Sequence, residues 1–171
     1  MIVNLSPEEI STCKKAASMR WQLARVSNVA NQRKDASRSD EQIDELGVMA
    51  ELCVHKLFNI EFNYSLSGID TGADLYIGDY SIDVKSTFYP DGKLIFKSND
   101  YFKADACILV CQITEGEYRI AGCISRAGFN HKSVRGRLKP DLPECNSVGQ
   151  NELTDIKELW SLVMQRKLKF N

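Results

Sequence analysis

Ala106-Cys107-Ile108-Leu109-Val110-Cys111-Gln112-Ile113 is the stretch that most limits what this chain can become. An apolar run of strand length that does not alternate with polar residues reads as a central strand covered on both faces. Glu115-Gly116-Glu117 then turns the chain into a second strand, Tyr118-Arg119-Ile120-Ala121-Gly122-Cys123-Ile124. Helical patterns flank these strands, so the expected architecture is a mixed α/β sheet with helices outside it. The chain has 171 residues, enough for one domain with a full core and too few for two comfortable ones.

Two helices are expected upstream. Ser6-Pro7-Glu8-Glu9 offers a capping serine, a proline suited to the first turn and a capping-box glutamate. The helix it opens is predicted to span residues 6–30. Its apolar residues fall in two rows, Ile10, Cys13, Ala17, Trp21, Ala24 and Ala16, Met19, Leu23, Val26, Ala30, which predicts a broad buried face and no chemistry. This helix is expected to pack over the domain or to form a dimer surface. Asn31 to Arg38, with Arg33, Lys34 and Arg38, is a solvated connector or a phosphate-touching loop. Ser39-Asp40-Glu41-Gln42 repeats the capping-box pattern and opens a second helix, Asp40 to Phe58. Steps of about 100° put Ile43, Leu46, Gly47, Ala50, Val54, Leu57 and Phe58 in one stripe, with Glu51 at its border.

The chemistry-bearing stretch is Gly72-Ala73-Asp74-Leu75-Tyr76-Ile77-Gly78-Asp79-Tyr80-Ser81-Ile82-Asp83-Val84-Lys85-Ser86. It reads as a hairpin turning at Gly78-Asp79. Side chains two apart share a strand face, so Asp83 and Lys85 point one way while Ile82 and Val84 point the other. The returning strand brings Asp74 to the same end. Asp70 is a rival first acid, but Asp70-Thr71-Gly72 reads as turn, whereas Leu75-Tyr76-Ile77 continue directly from Asp74 as strand. Converging carboxylates repel, and a hard divalent cation offsets that repulsion.

Asp74, Asp83 and Lys85, in that order and spacing, resemble the signature of the PD-(D/E)xK nuclease superfamily, in its junction-resolvase and phage-nuclease branch. Ala73 stands where the family name has proline. The resemblance runs from about Asp44 to Arg126, and the segment Gly47-Val48-Met49-Ala50-Glu51-Leu52 looks like the family's helix, its small residues allowing close approach to the sheet. What it implies is a restriction-endonuclease-like mixed β-sheet core flanked by helices at residues 40–126. To that core are added the N-terminal helix and, at residues 127–171, a basic loop and a final helix. It implies a metal-dependent deoxyribonuclease, of endonuclease type, acting on DNA in the cytoplasm of a bacterium or in a phage-encoded system. Mg2+ or Mn2+ would be held by Asp74, Asp83, the main-chain carbonyl of Val84 and Glu51. Lys85 would orient the attacking water or stabilise the charge that builds on the phosphate. Two readings compete with it: a catalytically inactive restriction-endonuclease-like module that binds DNA or protein, and an unrelated α/β interaction or inhibitor domain.

Net charge is −1, so any DNA surface must be local. Arg119, Arg126, Lys132, Arg135, Arg137 and Lys139, with His131, occupy a tract that contains no acid. Arg126, Lys132, Arg135 and Arg137, together with Lys103, are the candidate nucleic-acid contacts; a solvated loop is the alternative. A closing helix from Glu152 to Lys167 shows an apolar stripe of Leu153, Ile156, Trp160 and Val163. The six cysteines include no C-x-x-C pair and read as reduced core thiols. His55 and His131 read as packing or surface residues. No run is long enough to span a bilayer, and Met1 to Pro7 lacks a signal-peptide layout, so a cytosolic protein without membrane partners is expected. A homodimer would address both strands of a duplex.

Overall fold

The computed structural model describes residues 1–26, 38–64, 72–140 and 142–161. The expected end of the first helix at Ala30, the basic pair Arg33 and Lys34, the rival acid Asp70, and Val163 to Lys167 lie outside the described residues. In chain order the elements are β1 (Ile2–Asn4), α1 (Pro7–Val26), α2 (Asp40–Phe58), β2 (Leu75–Ile77), β3 (Tyr80–Thr87), β4 (Leu94–Phe96), β5 (Ala106–Thr114), β6 (Glu117–Ser125), α3 (Arg126–Lys132), β7 (Val134–Gly136) and β8 (Cys145–Val148). A last helix, α4, covers residues 156–161. The fold is mixed α/β.

The main sheet runs β1-β6-β5-β3-β2, and a smaller sheet runs β4-β8-β7. Among the described residues, β3 and β5 are the one pair that runs in parallel. A parallel pair needs a crossover, and here the connection is β4 with one 3-10 turn at Asn99–Tyr101. Leu94-Ile95-Phe96 therefore does not fold back on β3; it pairs with β8, Leu94 opposite Val148.

β5 shows why an unbroken apolar run was needed. Ala106, Ile108 and Val110 enter a core shared with Cys13, Ala16 and Ala17 of α1 and Met49, Cys53 and Val54 of α2. Cys107, Leu109 and Cys111 enter a second core with Leu94, Phe96, Phe102, Phe129 and Val148. The strand is thus packed on both faces, and burying each large apolar side chain contributes about 1.5–3 kcal/mol. All six cysteines are free and buried, and no helix among the described residues is long and apolar enough to cross a membrane.

Several sequence expectations are corrected. In α1 the expected pair of rows is not covered throughout: Cys13, Ala16 and Ala17 are buried, whereas Met19 and Leu23 are 59% and 51% exposed. Helix α2 has the predicted limits and capping box, with Ser39 accepting from the Gln42 N–H. Its buried set is wider than one stripe, because Val48, Leu52 and Cys53 are covered too. A Cβ on Gly47 would meet nothing within 4 Å among the described residues, so close helix–sheet approach does not explain that glycine. The expected basic loop is instead α3 and β7. In α4, Ile156 and Leu159 are buried while Trp160 is 46% exposed.

Gly122 in β6 holds φ at +154°, and a Cβ there would lie 2.7 Å from the Thr154 carbonyl oxygen and 2.8 Å from Leu153 Cβ. Cys123 and Thr154 exchange both backbone hydrogen bonds, at 2.9 and 2.8 Å, so the clash falls on backbone that is itself pinned. Gly122→Ala is expected to cost about 2–3 kcal/mol through overpacking and backbone strain. Urea unfolding would show this as a lower midpoint with an unchanged slope.

Candidate active site

The site forms where the hairpin stops pairing. β2 is three residues long, and Leu75 opposite Ile82 is its last register pair. One residue further out, the Asp74 N–H still donates to the Ile82 carbonyl at 2.8 Å. Its carboxylate then takes the place of a strand partner, accepting the Val84 N–H at 2.6 Å. Asp74 thereby fastens the edge of β3 beside Asp83.

Period-two geometry puts Asp83 and Lys85 on one face of β3, opposite Cys107 and Leu109 of β5. Lys85 Nζ donates to Asp83 Oδ1 at 2.5 Å. It also stands 5.2 Å from the Phe96 ring centroid, within cation–π range. Phe96 is itself stacked on Phe102 at 4.6 Å, so the ammonium is aimed by a rigid aromatic group as well as by its carboxylate. The Asp83 side chain is only 11% exposed, against 39% for Lys85.

Glu51 arrives from α2, with its side chain 15% exposed. Arg20 of α1 reaches it, Nη1 donating to both carboxylate oxygens at 3.1 and 2.9 Å. Glu51 is therefore ion-paired, and its partner comes from the helix expected to carry no chemistry. A signal for it existed: Cys13, Ala16, Ala17 and Arg20 fall at i, i+3, i+4 and i+7, so an arginine continues the buried row.

The charges sense one another. Burial raises the Glu51 carboxyl above its ordinary range; Arg20 and Lys85 pull it back, and Asp83 pushes it further up. Asp74 is raised to about 7, first by loss of water around its carboxyl, then by the charges of Glu51 and Asp83, against the Val84 N–H and Lys85. Much of the Asp74 residue is open to water, which screens these charges. For Lys85, burial works downward, but Asp83, through its charge and hydrogen bond, together with Cys107 and Asp74 outweighs it, and the ammonium is held above its usual value. Beneath the pair, burial and then Asp83 keep the Cys107 thiol well above its ordinary range, neutral and unreactive. Asp74, Asp83, Glu51 and Lys85 thus share one electrostatic neighbourhood, in which three carboxylates face two cations, Lys85 and Arg20.

Among the described residues, no three His, Cys, Asp or Glu side chains stand together as a ready metal cage. Each acid is instead engaged by a donor: Lys85 on Asp83, Arg20 on Glu51, the Val84 N–H on Asp74. The donor chemistry nonetheless fits Mg2+, which takes hard oxygens and is commonly held by one or two carboxylates plus waters and phosphate oxygens. Asp74 and Asp83 meet that need.

The proposed nucleic-acid contacts divide. Lys103 lies beside Gly72, which leads into Asp74; a Cβ on Gly72 would lie 3.3 Å from Lys103 Cβ. Arg126 donates to the Lys103 carbonyl at 2.9 Å. Two others are neutralised by acids beyond the basic tract, Lys132 by Glu152 at 3.2 Å and Arg135 by Glu144 at 3.3 Å. Arg137 donates to the Pro140 carbonyl. The local excess of positive charge is therefore smaller than the linear sequence implied. His55 is a packing residue, buried and edge-on to Phe62 at 4.9 Å. Comparison of the chain with protein-family models, curated proteins and solved structures finds no match to any of them, so the residues of this site carry the functional argument by themselves.

Proposed function

We propose that the chain is a metal-dependent deoxyribonuclease of restriction-endonuclease-like architecture that hydrolyses DNA phosphodiester bonds as an endonuclease. The observation that carries this reading is that Asp74 and the Asp83–Lys85 pair meet where pairing of β3 with β2 ends, with Glu51 of α2 near enough to feel their charge. Such a cluster of opposed charges is unfavourable for folding alone, which marks it as a site for chemistry.

Asp74 and Asp83 are the principal oxygen donors for Mg2+ or Mn2+, with the Val84 carbonyl and Glu51 as further donors. Such an ion, when bound, makes a water acidic enough to attack phosphorus and polarises the phosphoryl oxygen. Lys85, steered by Asp83 and Phe96, places positive charge where negative charge accumulates on the phosphate. Asp74 keeps the edge of β3 in place through Val84. Lys103 and Arg126, near the approach to Asp74, suit contact with backbone phosphates. A homodimer would present two such sites to a duplex.

The ion pairs Lys85–Asp83 and Arg20–Glu51 favour a second reading, a module of the same fold that binds DNA or protein without cutting. Incubation with single-stranded, duplex and branched DNA separates the two. Cleavage is expected with Mg2+ and none with chelator; binding without cleavage of any substrate, in Mg2+ or Mn2+, would leave the second reading standing.

A further inference from the structure

We infer that Arg20 is an oxyanion-binding residue of this site, its Nη2 taking a non-bridging oxygen of a DNA phosphate while its Nη1 stays on Glu51. The inference rests on the nucleolytic reading for the identity of the anion. Its physical basis is separate: Arg20 Nη2 is buried and makes no hydrogen bond among the described residues, although the same guanidinium gives two bonds from Nη1.

A buried guanidinium N–H is seldom left without an acceptor, because the protein forfeits the water it gave up and receives nothing in return. Guanidinium presents its donors in a planar fork, so fixing Nη1 on a carboxylate also fixes the direction of Nη2. Glu51 is thus a positioning residue for the fork. The side chain is 23% exposed overall, but Nη2 itself is buried, so a phosphate oxygen reaches it by displacing the groups that cover it. Acids surround it: Glu51 binds it, and Asp44, raised by burial and by Asp40, is drawn down by Arg20. Asp74 and Asp83 share the neighbourhood of Glu51. An oxygen carried by a phosphate is an acceptor that suits Nη2 without requiring Arg20 to leave Glu51. The helix that brings it, α1, is separate from α2, which carries Glu51, and from the hairpin, which carries Asp74, Asp83 and Lys85, so the site is assembled from three parts of the chain.

The test is binding of a fluorescent oligonucleotide in Ca2+, by anisotropy, across a series of salt concentrations. Arg20→Gln is expected to weaken binding about 10-fold and to reduce the slope of log affinity against log salt by about one phosphate contact. Arg20→Lys keeps the charge but not the fork, and is expected to retain the slope while losing part of the affinity. Wild-type affinity and slope in both variants would overturn the inference. If Arg20→Gln does not fold, Arg20→Lys carries the test: it is expected to weaken binding severalfold with the slope kept, and wild-type affinity overturns the proposal. Cleavage by the wild type is scored separately. A protein that cuts DNA but shows no Arg20 effect defeats this inference alone, and one that shows the Arg20 effect without cutting defeats the nuclease reading alone.

Discussion

Asp83→Asn is expected to yield a folded protein that still binds DNA and cleaves it at least about 10³-fold more slowly, and Lys85→Ala one slowed by about 10²–10³-fold. The difference follows from position. Asp83 is nearly buried and touches Lys85, so neutralising it removes an oxygen donor and also releases the ammonium from one of its two restraints. Lys85→Ala removes a single charge and leaves the acids intact. It also leaves Phe96 packed on Phe102 and Phe129, so the second core survives. Folding is expected to persist in both, because Lys85 is 39% exposed and the amide oxygen of Asp83→Asn can still accept the Lys85 N–H. Gel assays of cleavage in Mg2+, beside anisotropy in Ca2+, measure the two properties independently. A purified variant of either residue that cuts at the wild-type rate removes that residue from the mechanism.

The parts of this architecture that were legible in the sequence are those specified locally. The limits of α2 follow from a capping box at Ser39 and Gln42 and a left-handed residue, Asn59, after its last turn. Gly78 at φ +61° marks the hairpin, and the composition of β5 announces a strand without a wet face. Long-range pairing was not legible. β1 adds to β6 through Ile2 and Arg119, and β4 finds β8 some fifty residues on; strands of three or four residues are too short to show a period. The same limit governs the site. Asp74, Asp83 and Lys85 are close in sequence and were recognisable, whereas Arg20 and Phe96 join them only when α1 crosses α2 and β4 turns away from β3. The basic tract misled for the complementary reason, since Glu144 and Glu152, which neutralise Arg135 and Lys132, follow it in the chain.

Asp74→Asn is expected to abolish cleavage and at the same time to stabilise the fold near neutral pH. The folded Asp74 carboxyl titrates at about 7 instead of its ordinary 3.8. Between those values the folded chain holds a proton that the unfolded chain has released, so stability falls as pH rises through that window and stays low above it. Glu51 is shifted in the same direction and adds to the trend. Asparagine carries no charge to be repelled by Glu51 and Asp83, yet its carbonyl oxygen can still accept the Val84 N–H. With the effect discounted for the water that reaches Asp74, the gain at pH 8 is about 1 kcal/mol, or roughly 2–4 °C in a chain of this size. At pH 4, where the wild-type acid is largely protonated, the gain is expected to shrink toward zero. Adding Mg2+ at pH 8 is expected to raise the melting temperature of the wild type more than that of the variant, because the variant has lost one of its two principal charged donors. Thermal melts of both proteins at pH 4, 6 and 8, each with and without Mg2+, test the whole pattern. A variant less stable than the wild type at pH 8 without metal would mean that Asp74 serves the fold through its charge, and that the acids at the edge of β3 are a structural network after all.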